Sequence, residues 1–296
     1  MKRETAQKLF ALSFKTCELL LPTLAKRWGR KLFFTPFRHK RPAREMKAWR
    51  EAWKQELPIE IDVAQRRYRT HYRFYRWGKD GGPRVLLIHG WSGRATQLSV
   101  IAEELVKAGF EVLAFDGLAH GDSPGKHTNL LEFNAIVQDI NRRFGPLDAI
   151  VGHSFGGVVG ALSHNHSVAL NALVTIGTPV TMDYLLDEFT RIIGAGRKTR
   201  AAILEYTESR IDVELDAFSP QRLLKDSDLP GLIIHDREDK ESDYRQAPQL
   251  NEAWRGAELK LTSGLGHQRI LRDPSTARMI AEFLEKELVH SGEKAT

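Results

Sequence analysis

From Arg84 onward the chain repeats one unit, a short and wholly apolar run followed by a stretch of helical period. The runs are "VLLIH" at 85–89, "EVLAFD" at 111–116, "DAIVGH" at 148–153, "ALVTIG" at 172–177 and "LIIHD" at 232–236. None alternates apolar with polar residues, so each reads as a strand covered on both faces, the condition of strands in a parallel sheet. Residues 95–108, 130–144 and 155–164 supply the helices between them. Strands that alternate with helices and can expose neither face leave few architectures. We expect an α/β chain with a mostly parallel, doubly wound sheet, helices on both faces, and ligands beyond the carboxyl ends of the strands.

The stretch "IVGHSFGG" at 150–157 sits at such an end. The pattern G-x-S-x-G is too common to mean much alone. Here, however, it follows a buried strand and precedes the small-residue helix "FGGVVGAL", which places Ser154 on a sharp strand-to-helix turn. Gly152 and Gly156 have a steric reason there, because the tight turn brings the backbone on either side of the serine together. Phe155 opens the helix, so its N–H has no partner within the helix and points where an oxyanion would form.

With these features the chain resembles the α/β-hydrolase fold family over roughly residues 66–290, including a helical cap insertion. The resemblance implies a nucleophile elbow at Ser154, followed in chain order by an acid and a histidine. "LLIHGWSG" looks like the family's His-Gly segment, which would make the Trp91 N–H a second oxyanion donor beside that of Phe155. "FDGLAHGDSPG" resembles the family's D-x-x-G-H-G-x-S turn through Asp116, His120, Gly121 and Ser123, with Leu118-Ala119 where Arg-Gly is usual, and reads as structural. "LIIHDREDKESD" puts Asp239 at the acid position of the family pattern, with Asp236 as a rival. "LTSGLGHQRIL" puts His267 at the position of the base.

Such a set implies acyl-transfer chemistry. A serine hydroxyl is a poor nucleophile at neutral pH, so His267 would accept its proton and Asp239 would orient the imidazole. The expected activity is a serine hydrolase acting on a carboxylic ester or thioester. Acyl transfer, lactone opening, peroxyacid formation or C–C bond hydrolysis would use the same residues. Outside catalysis, the alternative is a silent binding or membrane-docking protein. The segment "TMDYLLDEFTRIIGAGRKTRAAILEYTESRIDVELDAFSP" reads as a helical cap over about 181–219. Met182, Leu185 and Phe189 on its apolar underside are the expected substrate contacts, beside Leu186, Ile192 and Ile193. His89 and His153 read as hydrogen-bonded support. No metal or other cofactor is expected, since "HNH" at 164–166 lacks partners at zinc spacing and neither common phosphate-binding glycine loop occurs.

The charge of +6 is unevenly spread. Residues 1–80 hold 21 Lys or Arg against 8 Asp or Glu, a net +13, which leaves −7 on the rest. Residues 1–58 are expected to form a basic helical arm, with the hydrolase domain over 59–296. In the arm Lys8, Lys15, Glu18 and Lys26 fall on one helical stripe, while Leu9, Phe10, Leu12, Phe14, Leu20, Leu21 and Leu24 spread over the rest, an apolar arc that must be buried in something. Packing on its own body is the first expectation and peripheral membrane contact the second; no nucleic-acid motif stands out. Trp49 and Trp53 are expected on a short helix ending before Pro58, and "RRYRTHYRFYRWG" as an antiparallel strand. No run spans a bilayer or reads as a signal peptide, and the single Cys17 permits no internal disulfide, so a cytoplasmic location is expected.

Overall fold

A computed structural model describes residues 3–288. The chain opens with α1 (Arg3–Leu20), α2 (Pro22–Phe33) and the short α3 (Met46–Glu51). A hairpin follows, β1 (Trp53–Val63) and β2 (Arg66–Trp77). The alternating part then runs β3 (Arg84–Ile88), α4 (Ser99–Lys107), β4 (Glu111–Asp116), α5 (Leu130–Phe144), β5 (Ala149–His153), α6 (Phe155–His166) and β6 (Ala172–Ile176). Two helices, α7 (Met182–Ile193) and α8 (Arg197–Ile211), and the one-turn α9 (Pro220–Leu223) precede β7 (Gly231–Asp236). The chain closes with α10 (Ala247–Ala253), β8 (Ala257–Thr262), the one-turn α11 (Gly266–Arg269) and α12 (Pro274–Leu288).

The eight strands form one sheet in the order β1-β2-β4-β3-β5-β6-β7-β8. Pairing is antiparallel in β1–β2 and β2–β4 and parallel from β4 to β8. The strands expected from apolar runs form at those places, and every residue of β4, β5, β6 and β7 is buried. Helices cover both faces, with Phe133, Val158 and Leu162 in one core layer and Leu105, Ile280 and Leu284 in the other. Because β3 and β5 to β8 run the same way, their carboxyl ends lie along one edge.

Three features of the first 58 residues differ from or add to what the sequence alone indicates. The helix through Trp49 stops at Glu51, and Trp53 to Pro58 begin β1, a strand that crosses the 58/59 boundary drawn from sequence. Leu57, Ile59 and Ile61 are buried while Glu56 and Glu60 are exposed, and this two-residue period, paired along the whole of β2, outweighs the i,i+4 tryptophans. Pro58 is tolerated because β1 is an edge strand. Next, the helical stretch is broken at Pro22, which starts α2 at a position where its missing N–H costs nothing. Helix α2 folds back so that Phe10 and Phe14 pack on Trp28, at ring separations of 5.4 and 5.0 Å.

The third feature concerns the apolar arc. The aromatic side of the arm packs on the body, α1 against α7 and α2 against α8, with Phe14 and Ala25 fully buried. The leucines turn outward instead: Leu19 and Leu20, at the elbow, are 81% and 69% exposed, and Leu9, Leu12, Leu21 and Leu24 are exposed as well. Glu18 anchors the elbow by accepting hydrogen bonds from Gly196 N, Thr199 N and Thr199 Oγ1.

Candidate active site

Ser154 alone makes the turn between β5 and α6. It does so at φ 53° and ψ −119°, a conformation that costs a non-glycine residue about 1–3 kcal/mol. The Ser154 N–H donates to Ile176 O at 2.8 Å, which ties the turn to the neighbouring strand. The two glycines are required sterically. A Cβ on Gly152 would lie 2.4 Å from Gly156 O, and one on Gly156 would lie 2.2 Å from Ile88 O. The Ser154 hydroxyl makes no hydrogen bond with the described residues and lines the large cavity.

The loop after β3 touches this turn. A Cβ on Gly90 would lie 3.1 Å from Ser154 Cβ, and the Trp91 and Phe155 rings meet edge to face at 5.2 Å. Among the described residues neither the Trp91 N–H nor the Phe155 N–H has a hydrogen-bond partner, so both are free to donate to a ligand. His89 holds the loop: its Nδ1 donates to Gly90 O at 2.8 Å and its Nε2 accepts from Gly117 N at 3.0 Å. Burial lowers the His89 pKa and keeps the ring neutral, as that pattern requires. The turn after β4 is a scaffold, as expected. Asp116 accepts from Ala95 N, Asp122 N and Tyr75 Oη, each at 2.8 Å, and Ser123 Oγ donates to Asp116 O at 2.5 Å.

The structure joins His267 to Asp239. His267 Nδ1 donates to Asp239 Oδ2 at 2.7 Å, and both side chains are almost wholly buried. Asp239 Oδ1 accepts from Glu241 N and Ser242 N, each at 2.8 Å, which fixes the carboxylate plane. Burial alone would raise the Asp239 pKa. Hydrogen bonds from His235 and His267, the His267 charge and the Ser242 amide hold it well below the usual carboxylate range. Asp236 does different work. It accepts from Gly266 N at 2.7 Å, Thr262 Oγ1 at 2.7 Å, Glu238 N at 3.0 Å and Leu265 N at 3.1 Å, so it braces the loop that carries His267 without touching the imidazole.

His267 is also fixed to the residue before the serine. His153 Nε2 donates to His267 O at 3.0 Å, and the two rings lie 4.6 Å apart. Burial, then the neighbouring His267, push the His153 pKa well below the usual imidazole range. Two neighbours escaped the sequence reading. His235, in β7, lies 3.4 Å from Asp239 Oδ2, and Glu241 lies 3.9 Å from His267 Nε2. A histidine inside an apolar strand run was the visible sign of the first; nothing marked the second.

A cavity of about 620 Å³ opens at the serine. Met182, Leu185 and Phe189 of α7 line it, together with Trp91, Phe155 and Ser154. The arm lines it too, since α2 contributes Arg27, Arg30, Lys31 and Phe33. Phe33 meets Phe189 edge to face at 5.0 Å, so α2 and α7 share one wall. Among the described residues no cluster of acidic, histidine or cysteine side chains has the grouping of a metal site, and no helix is long and apolar enough to cross a membrane.

Comparison with known proteins extends this description. The model of the "Alpha/beta hydrolase family" matches residues 85–290. Human Serine hydrolase-like protein 2 is 30% identical over 168 residues, 52% of this chain and 51% of that protein, so the match spans about half of the relative's length. The sn-1-specific diacylglycerol lipase ABHD11 of Xenopus laevis is 35% identical over 81 residues, 26% of this chain and 25% of the lipase. Among solved structures, an esterase from Pyrococcus furiosus superposes with a TM-score of 0.61 at 19% identity, covering 86% of this chain and 99% of that one.

Proposed function

Because the chain belongs to the alpha/beta hydrolase family, we propose that it is a serine hydrolase that cleaves carboxylic esters or thioesters through Ser154, His267 and Asp239. The observation that carries the reading is the 2.7 Å bond from His267 Nδ1 to the buried Asp239. That bond fixes the tautomer, with the proton on Nδ1 and the lone pair on Nε2. Ser154 Oγ, which bonds to none of the described residues, turns toward Nε2 in the substrate complex, where such contacts often tighten. Attack on the carbonyl carbon moves the serine proton to His267, and Asp239 stabilises the imidazolium. The oxyanion takes the free N–H groups of Trp91 and Phe155, each worth a factor of about 10²–10³. His267 then returns the proton to the leaving alcohol or thiol, and water releases the acyl group by the same steps.

The cap at about 181–219 and helix α2 of the arm together form the acyl-binding wall, with Met182, Leu185 and Phe189 against the chain. The family's esterase and lipase relatives support an ester substrate. The exposed leucines of the α1–α2 elbow, flanked by Lys8, Lys15 and Arg27, suit peripheral contact with a lipid surface. Cosedimentation with phosphatidylserine vesicles that survives replacing Leu19, Leu20 and Leu24 by serine would remove that contact from the reading.

The direct test is hydrolysis of p-nitrophenyl esters from acetate to decanoate, with labelling by a fluorophosphonate. Turnover and labelling are both expected of the wild type and are both lost in Ser154→Ala. A folded wild type that takes no label contradicts the proposal.

A further inference from the structure

The basic edge of the cavity has no task in the chemistry above. Five cationic side chains line it: Arg27, Arg30 and Lys31 from α2, Arg66 from the hairpin and Arg210 from α8. Positions 27, 30 and 31 share one helical face, and the hairpin tip is tied over α8 by Gln65 Nε2 donating to Ser209 O. Arg30 and Arg210 are half-buried on one ring: their guanidinium carbons lie 5.1 and 5.2 Å from the centroid of Tyr206. Like charges held beside one ring repel, and partial burial strengthens the repulsion.

No carboxylate of the described residues relieves it. None of the five cations makes an ion pair with a described residue. Of the acids that line the same cavity, Glu188 is held by Arg191 at 2.7 Å, Glu132 Oε1 accepts from Tyr68 Oη at 2.7 Å, and Glu241 stands beside His267; none of the three forms an ion pair with these cations. Arg27 and Lys31 are exposed while Phe155 and Met182 are buried, so the cations stand at the mouth and the apolar residues lie inside. A ligand complementary to this cavity has an apolar chain for the interior and a fixed negative charge for the rim.

We propose that the α2, hairpin and α8 cations form a phosphate-binding subsite, and that the substrate is an acyl ester or thioester whose leaving group carries phosphate. The assignment rests on the hydrolase reading for its reaction, whereas the subsite itself is testable by binding alone. Arg30 and Arg210 present planar donors suited to phosphate oxygens, and Arg27, Lys31 and Arg66 add charge. Two sources supply this chemistry, a phosphoglyceride and the thioester of a phosphate-bearing carrier.

The experiment is calorimetric titration of the full chain with dodecyl phosphate and with neutral 1-O-dodecylglycerol, both below their micelle concentrations. Dodecyl phosphate is expected to bind more tightly by about tenfold or more, the range of a charged hydrogen bond, with the advantage shrinking as salt is added. In Arg30→Gln/Arg210→Gln the advantage falls to about threefold or less, and Arg30→Lys/Arg210→Lys retains most of it. Should the glutamine pair fail to fold, the exposed pair Arg27→Gln/Lys31→Gln gives the same test, with a partial loss expected. Equal affinities in the wild type, or a preference that survives charge removal in a folded variant, overturns the subsite. Titration with 1-O-dodecylglycerol 3-phosphate and with S-dodecyl-coenzyme A separates the two sources, since the tighter ligand names the source and failure of both to exceed the neutral ether overturns the proposal. Binding needs no turnover. Loss of phosphate preference with esters still cleaved therefore removes this inference alone, and absence of ester cleavage with the preference intact removes only the hydrolase reading.

Discussion

Replacing Asp239 by asparagine separates orientation of His267 from everything else the carboxylate does. Asp239 Oδ1 accepts two backbone N–H groups, from Glu241 and Ser242, and those donors will keep the amide oxygen of an asparagine where it is. The NH₂ group then takes the place of Oδ2, facing His267 Nδ1 at 2.7 Å. A donor there forces Nδ1 to accept, which moves the imidazole proton to Nε2 and removes the lone pair that takes the serine proton in the proposed reaction. The expected loss is about 10⁴ in kcat, or about 5.5 kcal/mol of transition-state stabilisation, with little change in KM. Asp236→Asn is the internal comparison. It leaves one acceptor too few for the amides and hydroxyl that Asp236 now serves, so it should cost about 1–3 kcal/mol of stability. Its folded fraction should stay within about tenfold of wild-type turnover, because it does not alter the imidazole tautomer. Ester hydrolysis, the rate of fluorophosphonate labelling and urea unfolding measure all three quantities. The reasoning fails if Asp239→Asn keeps more than about a tenth of the activity, or if folded Asp236→Asn loses as much.

Two further outcomes follow from burial and close approach. Burial holds His89, His120 and His153 below the usual imidazole range, so each is neutral when folded and takes up a proton on unfolding in acid. Their stabilisation is complete above the unfolded-state value near 6.5 and is lost as pH falls, at up to about 1.4 kcal/mol per pH unit for each. Urea unfolding at pH 7.5 and 5.5 should show the decline, and equal free energies would contradict it. Gly156→Ala puts a methyl 2.2 Å from Ile88 O and 2.9 Å from His89 O, both backbone atoms, and should destabilise by about 3 kcal/mol. Gly264→Ala meets nothing within 4 Å and pays only for its positive φ, about 1 kcal/mol. Similar melting curves for the two variants would refute the steric account of the elbow.

The linear order of residues was enough for the parallel sheet and for the turn at Ser154. Strands buried on both faces must be continuously apolar, and the elbow's glycines lie two positions either side of the serine they serve, so both signals are local. The hairpin was half legible: β2 showed its alternation, while β1 was hidden behind Trp49 and Trp53 because its period is read only once it is paired with β2. Choosing between Asp236 and Asp239 needed coordinates. Both follow the same strand within three residues, and only the fold of the loop turns one toward His267 and the other toward backbone amides. The role of α2 was out of reach altogether. Its basic face reads from sequence as a solvated surface, and it becomes the rim of the cavity because Phe10, Phe14 and Trp28 fold the arm back onto α7 and α8. Sequence determines which faces of an element must be buried; which distant element covers them depends on long-range packing, which no local period encodes.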